Sequence, residues 1–143
     1  NTSYMNIIPI AVKICLKREP DNIIILNIES PFRQFFYIEK AINNHIYHKA
    51  DRTISVLPDN TGHFYKYGKN GLSLISNNNY TALRTEKKYI FTECGGIEVL
   101  NYKKLVNKDK LKTISHIVMD KKSGFVIKDD YDFKIANQIF SKK

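Results

Sequence analysis

Cysteine is scarce in this chain: Cys15 and Cys94 are the only two in 143 residues. Two cysteines cannot build the disulfide framework of a small secreted domain, so a reducing, cytoplasmic setting is expected. Long hydrophobic runs are missing too. No stretch reaches the length of a membrane span, and no secretory signal is visible. The first residue is Asn rather than Met, as in a fragment or a processed chain. The glycine-rich loops that cradle phosphates are absent, with no G-x-x-x-x-G-K-[ST] and no G-x-G-x-x-G. No cysteine pair stands at zinc-binding spacing. His45 and His48 would point to opposite faces of a strand, so no metal site and no cofactor are expected. Cys94 reads as an inert, buried thiol. Acidic residues are the minority, 14 against 23 Lys and Arg, which leaves a net charge of +9. That balance points to a polyanionic partner: nucleic acid, a phosphate-rich ligand or an acidic surface.

What is present reads as one folded domain over residues 1–143, with a hydrophobic fraction of 43%. Ile10, Val12, Ile14 and Leu16 alternate, which predicts a strand over 7–17. Glu19-Pro20-Asp21-Asn22 is a turn, and residues 23–28 a second strand, making a hairpin. Further strands are expected at 35–38, 53–57, 62–67 and 89–94, and at 114–120 with a return over 125–127. Residues 72–83 favour neither period. Tyr102 to Val106 fits one helical turn. Phe133, Ala136 and Phe140 recur at helical spacing, and Asp129 or Asp130 can cap that helix. The expected fold is mainly β: an elongated β-hairpin and sheet domain with short helices, including one at the C-terminus.

The chain is organised around Phe91 to Asn101, an apolar strand broken at Gly95-Gly96, where backbone freedom is greatest. Lysines flank it: Lys87 and Lys88 before, Lys103, Lys104, Lys108, Lys110 and Lys112 after. Tyrosines are interleaved with these basic residues, an arrangement that suits phosphate neutralisation and stacking on bases.

Four places resemble the LytTR-type DNA-binding domain of quorum-sensing response regulators. They are Leu16-Lys17-Arg18 before the strand at 23–26; Phe36-Tyr37-Ile38-Glu39 with His45 six residues on; Phe91-x-x-Cys94 running to Asn101; and the final hairpin entering a helix near Asp130. The family pattern differs at Glu93, Gly95, Gly96 and Asp130. The resemblance implies a cytoplasmic, non-enzymatic transcription-regulator output domain. Its loops would read successive major grooves of double-stranded DNA, with His45 and its neighbour Asn44 in one groove. Gly95, Gly96 and Asn101 would reach the next, with Lys87, Lys88, Lys103, Lys104 and Lys128 on phosphates. Expected partners are an N-terminal receiver domain, RNA polymerase and a second copy on DNA, with no membrane. The alternative is a small basic nuclease or toxin acting on RNA, with His45 or His63 as general base. A third class is a module that binds an acidic protein.

Overall fold

Strand β5 (Ile90–Asn101) is the spine of the sheet, long enough to pair along both edges. The computed structural model describes residues 4–16, 18–59, 65–69, 71–75 and 90–141. Before β5 come α1 (Tyr4–Cys15), β1 (Asn22–Leu26), α2 (Phe35–Tyr47), β2 (Arg52–Asp59), β3 (Tyr65–Gly68) and β4 (Gly71–Leu74). After it come α3 (Tyr102–Val106), β6 (Ile114–Val118) and α4 (Asp130–Ser141). The main sheet has the order β1-β5-β2-β6. β5 runs antiparallel to β1 and β2, and β2 runs parallel to β6. Three strands therefore share one direction and one is reversed. β3 and β4 form a separate two-stranded hairpin.

The fold is mixed α/β rather than mainly β. The strand expected at 7–17 is helix α1, and that expected at 35–38 is the start of helix α2. In α1, Val12 is the buried residue, while Ile7, Ile10 and Ile14 form a stripe at helical spacing. Period two fitted part of the same apolar set, and Pro9 inside the helix spoke against it. In α2 the buried residues are Tyr37, Ala41 and His45, spaced four apart on one face. Two polar-tipped residues in that stripe hid its helical period. Tyr37 and Ala41 pack on Ile97, Val99, Ile117 and Met119, which form the core between α2 and the sheet.

Residues 125–127 make no strand; Ile127 N–H instead donates to the Glu29 carbonyl at 2.9 Å. The turn before them is present, as are α3 and the C-terminal helix. Asp129, not Asp130, caps α4: its Oδ1 accepts from Asp132 N–H at 2.9 Å. Asp132 Oδ2 accepts from Lys128 N–H at 3.0 Å in return. Asp129→Ala should therefore cost about 1 kcal/mol of stability in denaturant unfolding, and Asp130→Ala much less. Equal effects at the two positions would refute the cap.

Midway along β5 the ladder with β2 slips between Ile54 and Val56, opposite Gly95 and Gly96. Gly95 has φ +70°, the left-handed region that favours glycine. Ile97 N–H turns to the Ser55 hydroxyl at 2.9 Å instead of a strand carbonyl. The sequence break at Gly95-Gly96 is thus a bulge within one strand, not a loop between two.

Candidate functional site

The bulge faces the loop that carries β1 into α2. Asn27 Oδ1 accepts from Glu29 N–H at 3.2 Å, which turns the chain as it leaves the strand. Arg33, half-buried, folds back over this turn. Its Nη1 donates to the Asn27 carbonyl at 2.9 Å and to the Gly96 carbonyl at 2.8 Å. Among the described residues no carboxylate pairs with it. Ser30 is 5% exposed, and its hydroxyl has no partner among the described residues. A Cβ on Gly96 would stand 3.3 Å from Ser30 Oγ and 3.7 Å from Ser55 Oγ, so glycine keeps this space open.

The other wall follows β6. Tyr37 O–H donates to Asp120 Oδ2 at 3.0 Å and accepts from Asp120 N–H at 3.0 Å. Asp120 Oδ1 accepts from the Lys122 and Ser123 amides, each at 2.9 Å. Donors on Ser123, then the Tyr37 hydroxyl and the Lys122 amide, hold the Asp120 carboxyl at about 2. Burial pushes the Tyr37 phenol up, so it stays neutral and keeps its proton for Asp120. Lys122 Nζ lies 5.7 Å from the Phe32 ring centroid, and Phe32 packs against Phe125 and Phe140. Between β2, β5 and this segment opens a cleft of about 440 Å³, with Leu57, Cys94, Lys121, Phe125, Lys128 and Asp132 among its walls.

These parts lie at the carboxyl ends of β1, β2 and β6, where open α/β sheets bind ligands. The N-terminus of α2 opens here as well, with no side-chain cap on Gln34. Its free N–H groups and the uncompensated Arg33 favour an anion.

Of the residues singled out from the sequence, Gly95, Gly96 and Lys128 belong to this region. The others described lie elsewhere. His45 is no loop residue: it sits ten residues along α2 from Phe35, roughly 15 Å away, and is 3% exposed. Its Nδ1 lies 3.0 Å from Thr53 Oγ1 and its Nε2 3.0 Å from Asn22 Oδ1. With both ring nitrogens occupied inside the protein it can neither read a base nor serve as a general base. Asn44 is also helical, and its Nδ2 donates to the His116 carbonyl at 3.0 Å. Asn101 caps α3, its Oδ1 accepting from Lys104 N–H at 3.1 Å. Lys104 Nζ pairs with Asp51 Oδ1 at 2.6 Å. Asp51 Oδ2 takes the Lys112 and Thr113 amides, and its carbonyl takes Asn101 N–H. Lys104, with the Thr113 and Lys112 amides, lowers the Asp51 carboxyl to about 2. Lys103 is exposed on α3. Lys87, Lys88 and His63 lie outside the described residues. Sequence reasoning missed Ser30, Arg33, Tyr37 and Asp120. A strand followed by a loop and a helix would have marked the first two, had α2 been read as a helix.

No family model matches the chain, and no curated protein matches it. The chain shares its fold with solved structures. The chain is similar to 4-diphosphocytidyl-2C-methyl-D-erythritol synthase from Anaerococcus prevotii, with a TM-score of 0.64 and 12% identity, over 99% of this chain and 68% of that one. At that identity the likeness is one of fold. It nevertheless corrects the functional expectation. Over 99% of its length the chain takes the fold of that enzyme. The double-stranded DNA reader, its role in transcription and two-component regulation, and the non-enzymatic assignment fall with it. The buried His45 removes the ribonuclease alternative built on that residue. Among the described residues, no helix is long and apolar enough to cross a membrane.

Proposed function

We propose that this chain is part of a nucleotidyl-transfer enzyme and binds a phosphate-bearing substrate at the carboxyl ends of β1, β2 and β6. The observation that carries the reading is Arg33. It is a half-buried guanidinium that, among the described residues, bonds only to carbonyls, beside the open N-terminus of α2. A buried cation without a counter-charge is costly unless a ligand supplies one. Lys121 and Lys128 line the adjoining cleft and suit the remaining phosphate charge. The enzyme with the similar fold is named for a diphosphocytidyl product, and cytidine triphosphate is accordingly the first nucleotide to test. In the proposed reaction a phosphate oxygen of the acceptor attacks the α-phosphorus of the nucleotide. The bond to the β-phosphate breaks and pyrophosphate leaves. Asp120 has no proton to give near neutral pH; it fixes the loop that carries Lys121 and Lys122.

The test is calorimetric titration with CTP, UTP, ATP and GTP, followed by a pyrophosphate-release assay with a phosphorylated polyol as acceptor. Saturable binding of one pyrimidine nucleotide, weakened by salt, is the expected result. If no triphosphate saturates and none yields pyrophosphate with any polyol phosphate tried, the proposal fails.

A further inference from the structure

The loop that presents Arg33 has few backbone ties of its own. Ser30 N–H donates to the Asn27 carbonyl at 3.3 Å, and Pro31 has no N–H to give. Among the described residues, the N–H groups of Phe32, Arg33 and Gln34 donate to no backbone carbonyl. Where Arg33 stands is therefore decided by side chains. One is its own, which reaches the Asn27 and Gly96 carbonyls. The other belongs to its neighbour, Phe32.

The Phe32 ring is met by three groups. Phe140 of α4 lies 4.9 Å from it between centroids, tilted by 34°, and Phe125 lies 6.0 Å away. Both separations fall in the range at which aromatic pairs attract. Lys122 Nζ, 5.7 Å from the ring centre, adds a cation over its face. One backbone bond, from Ile127 N–H to the Glu29 carbonyl, joins the same loop to the segment that leads into α4.

α4 in turn rests on little else. Among the described elements its backbone comes close to no helix and no strand. Yet Ala136 is buried, and Ile135 and Ile139 are half-buried. Its apolar face is thus seated on loops, and the ring contact identifies the loop of Phe32 as one of them. Phe140 itself stays 50% exposed, so truncating it empties no core position.

We infer that α4 is a strap on the ligand loop, with Phe32 and Phe140 as positioning residues that hold Arg33 toward its ligand. This role rests on the reading of Arg33 as the residue that takes the nucleotide's phosphates. Coupling of this kind is reciprocal: undocking α4 weakens the ligand, and the ligand tightens α4.

The test is hydrogen exchange on the ligand-free 143-residue chain, followed by titration with CTP. In Phe140→Ala the amides of Glu29, Ser30 and Ile127 should exchange about tenfold faster, while those of β2 and β6 keep their rates. CTP should bind about tenfold more weakly to the same variant. Phe140→Tyr, which keeps the ring and turns its hydroxyl to solvent, should restore both. Phe32→Ala combined with Phe140→Ala should cost less affinity than the two single changes together, since each breaks the same contact. Unchanged loop amides in Phe140→Ala overturn the strap, and so does a rise in exchange spread equally over loop and sheet. Loop amides released with no loss of CTP affinity deny Phe140 a positioning role and overturn it too. Failure of the nucleotide reading looks different: no triphosphate then binds the unaltered protein, and the loop amides alone decide whether α4 holds the loop.

Discussion

His45→Leu should lower the free energy of unfolding at pH 7.5 by about 3 kcal/mol. The ring is 3% exposed and spans two polar groups of different strands, Asn22 on β1 and Thr53 on β2. Asn22 Oδ1 can only accept, so Nε2 carries the ring proton and Nδ1 accepts from the Thr53 hydroxyl. Thr53 is fully buried. Leucine fills much of the same volume but leaves the Thr53 hydroxyl unpaired, which costs more than the net worth of the original bond. His45→Gln can restore one of the two bonds and should recover part of the loss. Urea unfolding followed by circular dichroism measures all three proteins. A loss below about 0.5 kcal/mol for the leucine variant would mean the ring is not buried as described.

The same histidine fixes a pH dependence. Burial lowers its pKa below 6.5, and the nearby Asp51 charge offsets this only in part. A lowered folded value means the unfolded chain binds the proton more readily. The His45 contribution is thus complete above about 6.5 and is lost as pH falls through the lowered folded value. A second loss should follow between 3.8 and about 2, where Asp51 and Asp120 take up protons in turn. The leucine variant should lack the first decline and keep the second.

Arg33→Ala should weaken binding of any nucleotide or phosphorylated ligand at least tenfold and also loosen the site. The side chain ties the β1–α2 loop to the β5 bulge through two carbonyls, and charge-assisted bonds of this kind contribute roughly 1.5–3 kcal/mol each. Arg33→Lys separates the two roles. Lysine keeps the charge and can reach both carbonyls from its one ammonium, as Nη1 does, but has no second nitrogen left to face a ligand. It should retain much of the tie, visible as a melting temperature near that of the unaltered protein without ligand, and lose part of the affinity. Nucleotide affinity unchanged in Arg33→Ala would remove this residue from the site and leave only its structural role.

Much of the sheet was legible from the residues alone. β1, β2 and β6 show the apolar density of strands with turn residues at their ends, and α4 shows helical spacing behind a capping aspartate. The two larger helices were not legible, for separate reasons. In α1, Ile10, Val12 and Ile14 alternate as in a strand while Ile7, Ile10 and Ile14 recur at helical spacing, so the apolar pattern fits both periods. α2 opens with Phe35, Phe36, Tyr37 and Ile38, which favour strands locally, and tertiary packing overrides that preference. Losing α2 lost the site as well. His45 stood as a loop histidine only while the residues before it were a strand, and Arg33 became conspicuous only as the last cation before a helix. Gly95 and Gly96 were identified correctly as a place where backbone matters. Their partner, the Arg33 guanidinium 63 residues away in sequence from Gly96, depends on a register that only the folded sheet supplies.

Asp51 has one further consequence. It binds Lys104, Lys112, Thr113 and Asn101 at once, which places clamps on both sides of the exposed run from Asn107 to Lys110. β6, beyond that run, is held to β2 along its whole length. A trypsin cut after Lys108 or Lys110 would therefore separate the chain covalently without separating it physically. The two pieces would travel together until denatured, and the run is a natural place to split the gene into two halves that reassemble.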